Sequence, residues 1–448
     1  MNSPYIAATD ADRTAMLERI GVGSVEELFS DVPASARFPV LDLPPPLSEL
    51  EAMRELEALA ARNLSASSSA WFLGAGAYYH FIPAVVPSLA SRGEFLTSYT
   101  PYQPEVSQGT LQAIFEYQSM AASLFGMDVV NASHYDGATA LAEAVLMAYN
   151  AAGGARDRAI LCADIHPEYK EVIRSYLSAY TVRLEESDLP PERAAALSDA
   201  STFCVVAPYP SFTGAIGDIG AAAKAAHAAG ALLVVQADPI MCGLLKSPGE
   251  LGADIVAAEG QSLGNPMSFG GPFLGMMGAK AGLVRKMPGR LVGQAKDAAG
   301  RRGFVLTLTA REQHIRREKA VSNICSNQGL AMLQACIYLA AMGRFGLRAA
   351  AQLCWNKAHY AASLVAKIPG FAIGAAEGPG VFFQEFLVRT PVPAEELAAK
   401  LSRRGVVPGL PLSRYFPERS HELLVCVTEM CTRGQIELLA KSLEEVSA

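Results

Sequence analysis

Asp238 closes the apolar run Leu232-Leu233-Val234-Val235-Gln236-Ala237, so a carboxylate stands at the end of a candidate strand. There it could keep a pyridinium nitrogen protonated, as chemistry that uses an aromatic ring as an electron sink requires. It could equally cap a helix or turn the chain with Pro239. Asp136-Gly137-Ala138-Thr139 precedes the helical stretch Ala140–Tyr149 and either offers backbone N–H groups to a phosphate or forms a plain N-cap. His166-Pro167-Glu168 opens another helix after a strand, where the imidazole can stack on a ring or serve as a solvent-facing cap. Gly260-Gln261-Ser262-Leu263-Gly264 spells a nucleophile elbow after a candidate strand. An elbow serine needs a helix starting at once, and Asn265-Pro266 followed by Gly270-Gly271-Pro272 cannot sustain one, so a structural turn is the stronger reading. His314, His359 and His421 have no neighbourhood that marks any of them as the base of a triad.

An absence narrows this further. Pyridoxal-phosphate enzymes of the aspartate-aminotransferase type hold their coenzyme through a lysine that follows a strand shortly after the acidic residue. Here that place reads Glu259-Gly260-Gln261-Ser262, and Gln261 cannot form a Schiff base. Lys246 precedes the strand and Lys280 lies beyond the glycine turn, so neither is well placed.

The elements that carry these residues follow from hydrophobic spacing. Apolar runs recur at Ala159–Cys162, Phe203–Val206, Leu232–Val235 and Ile255–Ala258, separated by stretches compatible with helices. Runs apolar on both faces that alternate with helices predict a mostly parallel sheet covered on both sides, with ligands beyond the carboxyl ends of its strands. Before the sheet, Leu111, Ile114, Phe115, Ala122 and Phe125 share one helix face that Gly126 terminates. Residues 1–63 read as a helical arm, with short helices near Ala11–Ile20 and Val25–Phe29, and a third opened by the capping-box pattern Ser48-Glu49-Leu50-Glu51. Residues 64–321 form the large α/β domain. A helical stretch from Ser322 to about Lys367 then leads to strand, helix, strand, helix at Val381–Val388, Ala394–Arg404, Leu423–Val427 and Gln435–Leu443, a small α+β domain within 322–448.

Composition bounds the function. At 448 residues and 51% hydrophobic the chain can bury a large core. Its net charge of −7 provides no global basic field for nucleic acid or an anionic membrane, which leaves small molecules and proteins as partners. No segment reads as apolar for long enough to cross a bilayer, so the expectation is a cytoplasmic chain. Eight cysteines are no disulfide framework at this length: Cys162, Cys204, Cys325, Cys336 and Cys354 sit in apolar stretches as reduced core thiols. Cys426 and Cys431 have no neighbours at metal-site spacing, and no metal is expected.

Longer strings make the chain recognisable. Phe95 to Gln112, Met127 to Glu143 with Tyr135-Asp136-Gly137-Ala138-Thr139, His166-Pro167-Glu168-Tyr169, Glu259 to Gly264, Phe269-Gly270-Gly271-Pro272, Arg317 to Cys325 and Val425-Cys426-Val427-Thr428-Glu429 resemble the glycine decarboxylase P-protein of the glycine cleavage system. The similarity covers essentially the whole chain and is to the alpha subunit of the two-subunit bacterial form. It implies the type I pyridoxal-phosphate (aspartate-aminotransferase-like) fold, with alpha and beta subunits as diverged copies in an α2β2 assembly and the coenzyme bound covalently by the beta copy. It also implies that the pair decarboxylates glycine and hands the aminomethyl group to the lipoyl arm of the H-protein. No catalytic residue is then expected in this chain. Asp136, Gly137, His166, Asp238 and Gln261 become a vestigial coenzyme site.

By the same resemblance Tyr99, Tyr102, Gln103, Glu105 and Gln108 line the active-site mouth at the subunit interface, or merely pack it. Ser322 and Asn323 reach the partner's coenzyme phosphate or cap the following helix. The basic stretch Arg285–Lys319 receives an acidic carrier or is a solvated face, the latter being the stronger reading. An autonomous pyridoxal-phosphate enzyme, such as an aminotransferase or desulfurase, would need Lys246 or Lys280 in the site. A non-catalytic scaffold would contribute no pocket residue at all.

Overall fold

The four apolar runs form the middle of a seven-stranded sheet in the computed structural model, which describes residues 5–97, 99–311, 313–320, 322–324, 328–374 and 380–447. Its strands are β1 (Val129–Val130), β2 (Arg158–Cys162), β3 (Arg183–Ser187), β4 (Thr202–Tyr209), β5 (Leu232–Ala237), β6 (Ile255–Glu259) and β7 (Gly275–Ala279), in spatial order β1-β7-β6-β5-β4-β2-β3. Neighbours from β6 across to β3 pair in parallel, while β7 runs antiparallel to both β6 and β1. Helices α1 (Gln108–Phe125), α2 (Gly137–Ala152), α3 (Pro167–Leu177) and α4 (Ile219–Ala228) cover the sheet, and β2, β4, β5 and β6 are almost wholly buried because both their faces are packed. Register sets Tyr209 beside Ala237 and Ala237 beside Ala258, so the carboxyl ends of β4, β5 and β6 lie along one edge. Asp238 and Glu259 stand on that edge.

Beyond the sheet, β8 (Leu291–Lys296) and β9 (Arg302–Thr307) make an antiparallel hairpin inside the basic stretch. Helix α5 (Gly329–Val365) follows. The helical stretch expected from Ser322 thus begins seven residues later, and it is broken at Gly343, whose φ of 57° and ψ of −173° only glycine adopts readily. By length and apolarity α5 is long enough to cross a membrane, contrary to the reading of the sequence, and 44% of its most apolar window is buried in this fold. A second sheet has the order β10-β11-β13-β12, formed by β10 (Ala372–Ile373), β11 (Glu385–Arg389), β12 (Leu410–Pro411) and β13 (Glu422–Cys426), with α6 (Ala394–Ser402) and α7 (Arg433–Ser447) packed on it. The expected strand at Val381–Val388 shortens to β11.

Chain contacts divide the molecule into two units, Met1–Asn63 and Leu64–Ala448. In the first, helices span Asp10–Ile20 and Glu49–Ala60, each opened by a capping box, Thr9 with Asp12 and Ser48 with Glu51. Cys325 lies outside the described residues; the other seven cysteines are free and buried.

Candidate functional site

Asp238 ends β5 with its backbone N–H on the carbonyl of Tyr209, which turns its carboxylate inward at 7% exposure. Both oxygens are engaged by the chain itself: Oδ1 accepts the Met241 N–H (2.9 Å) and Oδ2 accepts Nε2 of Gln384 (2.9 Å). Burial raises its pKa, against the lowering effect of the Met241 bond and of the nearby His80. Asp238 thus ties down the turn through Pro239 that leads into residues 241–243, whose N-cap is Ile240, and is tied in turn to Gln384 beside the second sheet. Asparagine at 238 should cost little, about 1 kcal/mol or less. Its oxygen keeps the Met241 bond, and the Gln384 amide, whose Oε1 has no hydrogen-bond partner, can turn over to accept from the new Nδ2. Thermal unfolding and turnover of the Asp238→Asn assembly should stay within about 1 °C and about 2-fold of wild type; a loss near 100-fold would mean that this carboxylate serves a second working site.

The amino terminus of α2 is also occupied. Asp136 caps it, its Oδ1 accepting the Thr139 N–H (2.8 Å) and hydroxyl (2.7 Å). The Gly137 N–H, which a phosphate would need, donates instead to Oε2 of Glu259 (2.8 Å). Oε1 of Glu259 accepts from the N–H groups of Gln261 (2.9 Å) and Leu274 (3.0 Å). A Cβ at Gly137 would sit 2.9 Å from the Glu259 Cβ and 2.8 Å from the Tyr169 hydroxyl, so this close approach requires glycine.

Gln261, 2% exposed, is clamped to Tyr78 on both sides of its peptide: Oε1 accepts the Tyr78 N–H (2.8 Å) and Nε2 donates to the Tyr78 carbonyl (3.1 Å) and to the Asn265 carbonyl (2.8 Å). Residues 261–264 form a turn and no helix follows, so the G-x-S-x-G string is structural. His166 uses Nδ1 to accept the Glu168 N–H (3.2 Å), which leaves Nε2 to donate to the Ala75 carbonyl (3.1 Å). Its ring lies on Tyr169 and meets the edges of Phe212 and Tyr415, and burial lowers its pKa. The stack is made with the protein's own rings, and the cap is a buried imidazole, 7% exposed, where a solvent-facing one was the alternative. Lys280 sits at the opposite edge of the sheet, its Nζ on Oδ1 of Asp254 (2.7 Å) at the start of β6.

The composition of the sequence did not point to Tyr78, Gln384 or Glu385. Glu385, on β11, accepts the Ala75 N–H (2.7 Å) through Oε1 and the Tyr78 hydroxyl (2.7 Å) through Oε2. Burial pushes three carboxyls up, Glu143 to about 7, Glu259 to about 8 and Glu385 to about 7. Folding thus takes up protons above the ordinary carboxyl range of 4.5, and the stability these groups contribute is lost as pH rises through about 7 to 8. His134 and His166, held neutral by burial, act the opposite way only below 6.5. Stability should therefore fall between about pH 6.5 and 8.5, and Glu385→Gln should flatten that slope by on the order of 1 kcal/mol. Urea midpoints across this range check it; a rising midpoint contradicts it.

The other expected residues lie apart. Tyr99 lines a cavity of ≈ 230 Å³ with Leu96, Ile114, Met332 and Arg290, and Tyr102 stands beside it on Arg290. The buried Arg290 donates to the Tyr102 hydroxyl (3.1 Å) and to Oγ1 of Thr100 (3.4 Å), its guanidinium 5.2 Å from the Tyr102 ring centre. Gln103 and Glu105 are exposed on the same loop, and Gln108 instead clips the loop to the hairpin through both backbone groups of Phe304. Ser322 donates to Oε1 of Glu143 (2.6 Å), and with Asn323 it lines a third cavity beside Tyr176 and Arg317. Neither caps α5, whose N-cap is Gln328. None of these seven residues touches the cavity beside Asp238. Among the described residues His80, Cys354 and Glu429 group metal-ligating atoms within 4.8 Å, but Glu429 Oε2 already takes His80 Nδ1 (2.7 Å) and Cys354 Sγ (3.2 Å).

This architecture is the type I fold of pyridoxal-phosphate-dependent enzymes. A sphingosine-1-phosphate lyase of Burkholderia pseudomallei (17% identity, TM-score 0.62, 92% of this chain and 94% of that one) and the Escherichia coli cysteine desulfurase (14%, 0.63, 87% and 99%) share it. The chain belongs to the glycine cleavage system P-protein family, whose pattern it matches over residues 3–443. A protein of Thermomicrobium roseum named probable glycine dehydrogenase (decarboxylating) subunit 1 is 50% identical over 452 residues, spanning 100% of this chain and 99% of that protein. Its namesake in Desulforamulus reducens is 48% identical over 99% of this chain and 100% of its own. The crystal structure of a glycine decarboxylase (P-protein) in inhibitor-bound form superposes with a TM-score of 0.89 at 44% identity, over 99% of this chain and 100% of that one.

Pyridoxal phosphate does not fit this chain as folded. The groups that would meet its phosphate, ring nitrogen and aldehyde already bond within the chain: the Gly137 N–H to Glu259, Asp238 to Gln384 and Gln261 to Tyr78.

Proposed function

We propose that this chain is subunit 1 of a two-subunit glycine dehydrogenase (decarboxylating), working only in company with a second subunit that carries pyridoxal phosphate on a lysine. The pair releases the carboxylate of glycine as CO2 and passes the aminomethyl group to the lipoyl arm of the H-protein, in an α2β2 assembly. The observation that carries this reading is Gln261, a buried amide with its hydrogen bonds satisfied, at the place a Schiff-base lysine would need. The names of the relatives support the two-part arrangement. The autonomous-enzyme alternative is not favoured, since Lys280 is paired at the wrong edge of the sheet. We read the assembly as cytoplasmic, with support from cysteines that are reduced and buried.

The loop that bears Tyr99, Tyr102, Gln103 and Glu105 exposes large aromatic surface around an apolar cavity, which suits contact with the partner at the active-site mouth. Co-expression with a lysine-bearing family subunit and size-exclusion chromatography test the pairing: one co-eluting species is expected, and two separate folded chains would refute it. Tyr102→Phe keeps the ring but removes one of the acceptors of Arg290, and should lower turnover by on the order of 10-fold in an assembly of unchanged size. Wild-type kinetics would favour the scaffold reading.

A further inference from the structure

The contacts around Asp238 have a common character. Each group that could hold one part of a phosphorylated pyridine aldehyde is engaged by another part of the same chain. The helix terminus that would take the phosphate holds the carboxylate of Glu259. The carboxylate that would meet the ring nitrogen holds the amide of Gln384. The imidazole that would stack on the ring meets Phe212 and Tyr415, with Nε2 on the Ala75 carbonyl. The residue in the lysine position grips the backbone of Tyr78. These occupants come from five separate places, residues 75–78, Phe212, the end of β6, Gln384 just before β11, and Tyr415, so the site is closed by tertiary structure and not by a single replacement.

We infer that this chain excludes the coenzyme by filling its own site, with the Glu259 carboxyl on the helix terminus and Gln384 as resident donor, so that the missing lysine is one obstacle among several. The inference rests on the reading that the partner, and not this chain, holds the coenzyme. It makes a demand that the lost lysine alone does not: returning a lysine must leave the site unable to take the coenzyme until the occupants are also removed. Gln261→Lys frees Tyr78, but Glu259 still fills the phosphate position and Gln384 still covers Asp238.

The test uses the full chain and pyridoxal phosphate as the probe. An imine forms between lysine Nζ and the aldehyde carbon with loss of water, and borohydride reduces it to a stable amine that peptide mass spectrometry locates. Wild type should show no adduct at any lysine above that of an unfolded control. Gln261→Lys should show less than about 0.1 adduct per chain at position 261, and Glu259→Ala/Gln261→Lys/Gln384→Ala should bind at least about 10-fold more tightly, with visible absorbance to match. If the triple variant does not fold, Glu259→Ala/Gln261→Lys must still exceed Gln261→Lys, and no gain there overturns the inference. Full labelling of Gln261→Lys alone also overturns it while leaving the two-subunit reading intact. A stoichiometric imine in wild type, on Lys246 or Lys280, would instead sink that reading.

Discussion

Replacing Glu385 with alanine is expected to lower the stability of the 64–448 unit by about 3–5 kcal/mol. The side chain is 3% exposed and accepts two short hydrogen bonds, from the Ala75 N–H and the Tyr78 hydroxyl. Alanine leaves both donors buried without a partner, at about 1–3 kcal/mol each, and adds a void beside Cys426, its neighbour across the β11–β13 pair. Glutamine keeps an acceptor for one donor and removes a charge that burial disfavours, so Glu385→Gln should cost on the order of 1 kcal/mol at neutral pH. Chemical unfolding of the three proteins side by side decides it. An alanine variant within about 1 kcal/mol of wild type would mean that residues 75–78 are not held as described.

That carboxyl also marks where reading the sequence stops. The central strands were legible because burial on both faces leaves unbroken apolar runs, and those runs end directly before Asp238 and Glu259, two residues short of Gln261. Edge strand β3, Arg-Leu-Glu-Glu-Ser, is mostly solvent-facing and carries no such signal. Strand β7 is disguised by its glycines, and the hairpin β8–β9 by its basic composition. Glu259, the last residue of β6, carries the same strand-end signal as Asp238 just past β5. Gln384 and Glu385 interrupt the apolar run Val381–Val388, a visible oddity, but their partners lie 146 residues away at Asp238 and 307 at Tyr78. Gln261 likewise closes on Tyr78 across 183 residues. No local spacing reveals such pairs. The mouth residues were placed by resemblance, and in the folded chain none of them lines the cavity beside Asp238: Tyr99 lines a different one and Gln108 is held on the hairpin.

The second large effect is all-or-none and bears on the central claim. Imine exchange with glycine starts from a lysine-bound aldehyde, and the amide nitrogen of Gln261 is neither nucleophilic nor available, since it donates to the carbonyls of Tyr78 and Asn265. The decisive measurement is CO2 release from carboxyl-labelled glycine, in the presence of pyridoxal phosphate and lipoylated H-protein, by this chain, by its lysine-bearing partner subunit and by their mixture. The account predicts background release from this chain alone and an increase of at least about 100-fold over either subunit in the mixture. Sustained turnover by this chain alone, or a mixture of folded and associated subunits no more active than the partner by itself, would contradict it.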